Sequence, residues 1–226
     1  MKKTVVSFLT LTLMFVGTVT SFAQVNFGAT AGVNIANISS DEDDFDMDSR
    51  TGLFIGVYGE MFLTDRLSFQ PGLIYSMKGA KASESFMDDD FNDDFDDFFD
   101  DFFDDFFGME ADVTLKLDYL DIPLMFNYYV SEGFYIQAGP QISLLLSAKY
   151  EYEFSVMGFS ESETEDVKDE FKGLDLSFGI GAGYKLDFGL GFFARYNMGL
   201  MDINDFDGDD FKLKNNVLQI GLTYSF

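Results

Sequence analysis

Histidine and cysteine are both absent from this 226-residue chain. A hydrolase on an exported scaffold needs a base that titrates near neutrality, which is ordinarily histidine. Without cysteine there is neither a thiol nucleophile nor a disulfide. The abundant reactive groups are carboxylates. Pairs such as Asp93-Asp94 fall in loops with no visible scaffold to tune their acidity. Asp205-Phe206-Asp207-Gly208-Asp209-Asp210 looks like a fragment of a calcium loop. The twelfth position counted from Asp205, however, is Asn216 where a bidentate Glu belongs. These residues predict no enzyme and no cofactor, with divalent cations at most collecting diffusely over acidic loops.

Six other charged residues stand out because they interrupt the polar face of alternating segments: Glu60, Lys78, Asp121, Asp175, Lys185 and Arg195. If that face lines the inside of a closed sheet, they form a buried charge network. Arg195 then needs a partner, since an unpaired buried guanidinium is costly, and Glu60 and Asp121 are the candidates.

The elements that would position them follow a period of two from Val25 onward, the signature of strands. Eight segments show it, at about 25–37, 50–63, 67–82, 113–130, 134–150, 173–186, 189–201 and 215–226. Most exceed the roughly 9–11 residues that a tilted strand needs to cross hydrocarbon. Ordinary globular strands are shorter, about 5–6 residues. Within the fourth segment Leu115 and Leu117 are out of phase with Leu120, Ile122 and Leu124, which predicts a bulge near Asp118.

Links between segments alternate between short and long. Short ones lie near Thr64-Asp65-Arg66, Ser131-Glu132-Gly133 and Asp187-Phe188-Gly189; long ones span 38–49, 83–112, 151–172 and 202–214. That is the layout of outer-membrane barrels. Asp and Glu number 6, 14, 8 and 5 in the four long links, 33 of the chain's 40, so one end is intensely anionic.

The character of the polar face decides which way the barrel is turned. Segment 173–186 sets Leu174, Leu176, Phe178, Ile180, Ala182 and Tyr184 against Asp175, Ser177, Gly179, Gly181, Gly183 and Lys185. Glycine on a solvated exterior lacks packing and costs backbone entropy. Glycine and small polar residues do fit the narrow interior of an eight-stranded barrel. The apolar face therefore points outward into lipid, and closure follows, because a bilayer offers backbone amides no partner. The alternative is a soluble secreted barrel turned the other way, binding a small apolar ligand.

Residues 1–23 read as a cleaved signal peptide: Lys2 and Lys3, an apolar stretch from Val5 to Val19, and Ser21-Phe22-Ala23 before Gln24. Residues 24–226 form the barrel domain. Its net charge is −28 once the two leader lysines leave the count of 14 basic against 40 acidic residues. That balance excludes nucleic acid as a partner. Within the domain, residues 83–112 carry a low-complexity Asp/Phe stretch in which Asp-Asp-Phe-Phe occurs three times. It reads as an expanded, solvated loop, with a helical aromatic stripe as the alternative.

Several segments resemble the PorT-like outer-membrane β-barrel family of the Bacteroidota. They are Gly32-Val33-Asn34-Ile35, Gln70 to Ala80, Tyr119-Leu120-Asp121-Ile122-Pro123-Leu124, Gln137-Ala138-Gly139-Pro140, Arg195 to Leu200 and Gly221 to Phe226. Gly221, Tyr224 and Phe226 also look like the terminal signal read by the barrel-assembly machinery, with Ile220 where a polar residue is usual. The resemblance implies an eight-stranded antiparallel up-and-down transmembrane barrel, termini periplasmic and long acidic loops extracellular. Its expected partners are outer-membrane lipid, the assembly machinery during biogenesis and a surface protein met through the loops. The expected role is structural or surface-interacting, with help in secreting or assembling surface proteins as the alternative that a family member suggests.

Overall fold

A computed structural model describes residues 25–40, 47–82, 110–156, 159–205 and 212–226. The expected leader and most of the Asp/Phe stretch lie outside the described residues. Among the described residues nine strands form in order: β1 (Val25–Ser40), β2 (Met47–Phe62), β3 (Leu67–Ala82), β4 (Glu110–Tyr129), β5 (Phe134–Val156), β6 (Phe159–Asp166), β7 (Leu174–Lys185), β8 (Leu190–Gly199) and β9 (Leu213–Ser225). All pairings between them are antiparallel. Eight strands close a barrel, with β9 returning to β1 from Gly28↔Ser225 to Ser40↔Leu213. Phe226 N–H extends the seam to Phe27 O at 2.9 Å.

The alternation expected from the sequence reads directly into burial. Every barrel strand presents large apolar residues outward, among them Val33, Leu53, Leu73, Phe126, Ile136, Ile180, Phe192 and Leu222. Leu53 is 60% exposed and Ile180 is 53% exposed. Many of the inward residues are polar: Asn34, Glu60, Ser76, Lys78, Asp121, Gln141, Asp175, Arg195 and Gln219 are all buried, alongside inward aromatics such as Phe54, Tyr119 and Phe193. A soluble barrel needs the reverse arrangement. Glycine makes the narrow interior possible, since a Cβ on Gly32 or Gly221 would sit 2.7 or 2.5 Å from the Phe54 ring. The short turns use glycine differently: Gly133 and Gly189 adopt φ of 81° and 95°, which L side chains rarely tolerate.

Two expectations need correction. The first concerns phase in the fourth segment. β4 alternates without interruption, so Leu115 and Leu117 point inward, into an apolar cluster at the long-link end. The register shift does fall between Asp118 and Tyr119, but the additional residue lies on the partner, as Asp118 faces Ser147 and Tyr119 faces Leu145. The bulge is therefore on β5 at Leu146. Beyond it the inward residues of β5 change from odd to even, bringing in Ala148.

The second concerns 151–172, read as a loop. β5 continues past the barrel wall to Val156 and turns back into β6, paired from Lys149↔Asp166 to Val156↔Phe159. With the start of β4 this makes a three-stranded arm at the long-link end, on which Glu163, Glu165 and Asp166 are exposed. Among the described residues β6 pairs with no strand but β5.

The outward belt makes a direct prediction for protein folded into lipid vesicles. Ile180→Lys should lower the unfolding free energy by about 2–4 kcal/mol, as expected for a cation at mid-bilayer. Lysine in place of Thr164 on the exposed arm should stay within about 0.5 kcal/mol. Equal effects at the two positions in denaturant titrations would contradict the lipid-facing assignment of Ile180.

Candidate functional site

β2, β3, β4, β7 and β8 carry the six charged residues singled out above, and their period of two turns all six toward the barrel axis. Five are almost fully buried, and Lys185 sits partly exposed near the short-turn end. Three are carboxylates and three are cations, so together they are neutral. The structure joins four of them in two pairs. Lys78 Nζ, only 2% exposed, donates to Asp121 Oδ1 at 2.9 Å and to Ser143 Oγ at 3.1 Å. It also lies 4.5 Å from the centre of the Tyr119 ring. Lys185 Nζ donates to Glu60 Oε2 at 3.1 Å, while Ser68 and Tyr129 hydroxyls donate to Glu60 Oε1 at 2.7 Å each. Burial of this kind is tolerable only because each ion is both paired and hydrogen-bonded.

The other two are handled differently. Arg195 contacts neither Glu60 nor Asp121. Its Nε and Nη2 both donate to Gln219 Oε1, at 3.2 and 2.6 Å, and its guanidinium lies 5.5 Å from the Phe193 ring centre. Gln219 passes the chain onward, donating to Asn34 Oδ1, whose amide donates to Ser76 Oγ and Met77 O. Asp175 accepts from Asn215 Nδ2 at 3.3 Å. Asn34 and Gln219 were not anticipated from the sequence, although their places on the polar face of their strands mark them.

Above this network the long-link end is closed by an apolar cap. Val167, Phe171, Ile203 and Leu213 pack against Ile38, Ala80, Leu117, Tyr119, Leu145 and Ala148 from the walls. A short 3-10 turn at Lys168–Glu170 and an isolated bridge between Phe171 and Asn204 shape the cap. Asp202 pins it. Its Oδ1 accepts the backbone N–H of Asn204 at 3.0 Å and of Leu213 at 3.1 Å, and its Oδ2 accepts Lys172 Nζ at 2.5 Å. Partial burial pushes this carboxyl up, but the Lys172 and backbone hydrogen bonds outweigh that and hold it below its ordinary value.

Among the described residues, no three Asp or Glu gather as a metal-binding group. Asp93-Asp94 and residues 206–210 of the calcium-like fragment lie outside the described residues; Asp205 is exposed. The interior arrangement can hold charge in place, and among the described residues the apolar cluster packs across its long-link end.

A family model described as an outer membrane protein beta-barrel domain matches residues 22–205. Similar solved structures include the attachment invasion locus protein Ail of Yersinia pestis, 14% identical, covering 90% of this chain and 99% of that one, with a TM-score of 0.42. Neisserial surface protein A is also 14% identical, with coverages of 90% and 99% and a TM-score of 0.48. A major outer membrane protein from Thermus thermophilus is 11% identical over 90% of this chain and all of that one, with a TM-score of 0.48. No curated protein matches the chain.

Two outcomes test the interior and its cap. Lys78→Met should cost about 3–5 kcal/mol by stranding Asp121, and adding Asp121→Leu should restore part of it. Denaturant titrations of the singles and the double measure this coupling. Because the Asp202 carboxyl is depressed on folding, its contribution is complete above the ordinary carboxylate value of about 4 and fades as pH falls through the lower folded value. Hydrogen exchange at Val167–Lys172 should therefore speed up in that acid range, and Asp202→Asn should remove the pH step.

Proposed function

Because the chain belongs to the outer membrane protein beta-barrel domain family, we propose that this outer-membrane barrel is a non-enzymatic surface protein whose contact end is the acidic one. The observation that carries this reading is the division of labour between the two ends. The barrel interior neutralises itself, while most of the carboxylates that remain are gathered on the long links and on the β4–β5–β6 arm. A contact surface on a strand-built arm loses little freedom when a partner binds. The outward apolar belt supports a lipid environment around the wall, and the even strand number puts both ends of the barrel at the short-turn side. In this reading that side faces the periplasm and the long links face outward.

The segments quoted from Gly32 to Phe226 support a place among PorT-like barrels. Gly221, Tyr224 and Phe226 serve as the assembly signal: Tyr224 and Phe226 stack edge to face at 5.8 Å on the outer side of the closing strand. The partner suited to the contact end is a cationic surface protein. Lys116 and Glu151 form an ion pair at the base of the arm.

An epitope inserted between the end of β5 at Val156 and the start of β6 at Phe159 should be reached by antibody on intact cells. The same epitope at Asp187-Phe188 should be reached only after the outer membrane is permeabilised. The reverse pattern would overturn the proposed orientation. With orientation established, replacing Glu163, Glu165 and Asp166 by their amides should reduce binding of a lysine-rich protein to whole cells; unchanged binding would remove the arm from the contact surface.

A further inference from the structure

Four of the six interior charges are matched in pairs, which leaves Arg195 and Asp175 as the two without an ionic contact among the described residues. Arg195 is the more exposed to consequence, since a buried guanidinium cannot shed its proton to escape. Its hydrogen bonds do not settle the charge. Gln219 Oε1 is one neutral oxygen, and three donors share it: Arg195 Nε, Arg195 Nη2 and Asn197 Nδ2 at 3.0 Å. The carboxylates nearest in the network are already taken, Asp121 by Lys78 and Glu60 by Lys185.

Beside Arg195 lies a small interior cavity of about 20 Å³. Its wall contains this one cation and no carboxylate; hydroxyls and amides of Thr30, Tyr58, Gln70, Tyr135, Gln137 and Thr223 supply the rest of its polar lining. Gln137 and Tyr135 are themselves 3% and 5% exposed. The volume accommodates a single water-sized particle and is too small for a carboxylate, sulfate or phosphate group. We propose that this cavity binds one monoatomic anion, chloride under ordinary conditions, held by the Arg195 guanidinium as its local counter-ion. The ion has a structural role: it lies below the apolar cap, away from the acidic contact end.

Crystals of the detergent-purified full-length protein, soaked in sodium bromide and measured at the bromine edge, test the site directly. The expected result is an anomalous peak within hydrogen-bond distance of Arg195 at bromide concentrations comparable to physiological chloride. A water at that position with no anomalous signal, or a peak only in molar bromide, would overturn the proposal. In solution, chloride should raise the unfolding midpoint by about 2–4 °C over gluconate at equal ionic strength, saturating with concentration. Arg195→Gln should abolish that difference. Equal midpoints in the two salts for the unaltered protein would count against the site, and this reading stands even where the variant fails to fold.

Discussion

The seam between β9 and β1 is the constraint on which the remainder of the molecule rests. A sheet bathed in hydrocarbon can leave no row of amides unpaired, because nothing outside can accept or donate to them. Thirteen residue pairs along the seam satisfy this at the first and last strands. Closure with eight strands also sets the radius, and that radius is narrow enough for side chains from opposite walls to meet. The Phe54 ring fills the space that a side chain on either Gly32 or Gly221 would need, which shows how little room remains. Most of the apolar residues face lipid, so the filling comes from the other face of each strand, where polar side chains surround a few aromatics such as Phe54 and Phe193.

A polar filling creates its own difficulty, since charges withdrawn from water must find partners inside. The chain meets it by carrying equal numbers of carboxylates and cations on the inner face and by spacing them among amides and hydroxyls. Lys78 with Asp121 and Lys185 with Glu60 are matched directly. Arg195 instead feeds an amide chain through Gln219 and Asn34 that ties β8 and β9 to β1 and β3. Such a network resists slippage of one strand past another, because a shift by one residue would drive every charge onto the lipid face.

Much of this was legible in the sequence because a transmembrane strand is long and its period is strict. The inward placement of Asp175 and Lys185 followed from the glycines between them. What escaped was whatever departed from that period. Leu115 and Leu117 looked out of phase only because apolar residues were assumed to face lipid; at the long-link end they face the cap. The β5 bulge at Leu146 was invisible because Leu144, Leu145 and Leu146 are all leucine, so neither phase stands out. β6 was missed since Phe-Ser-Glu-Ser-Glu-Thr-Glu-Asp alternates polar with polar and carries no burial signal. The cap residues Val167, Phe171 and Ile203 are isolated apolar positions in acidic segments, and only three-dimensional proximity joins them. Arg195 was expected to seek a carboxylate by the rule for buried ions. It found an amide because strand register sets Gln219 opposite it.

The cap changes what the acidic end is. Without Val167, Phe171 and Ile203 folded across it, the long-link end would be a mouth, and its carboxylates would select ions entering a pore. With the cap pinned through Asp202 and Lys172, the same end is a closed platform. Any partner recognised there meets an outer surface and gains no access to the interior pairs. An apolar layer thus separates the balanced interior charges, which hold the barrel together, from the exposed carboxylates of the β4–β5–β6 arm.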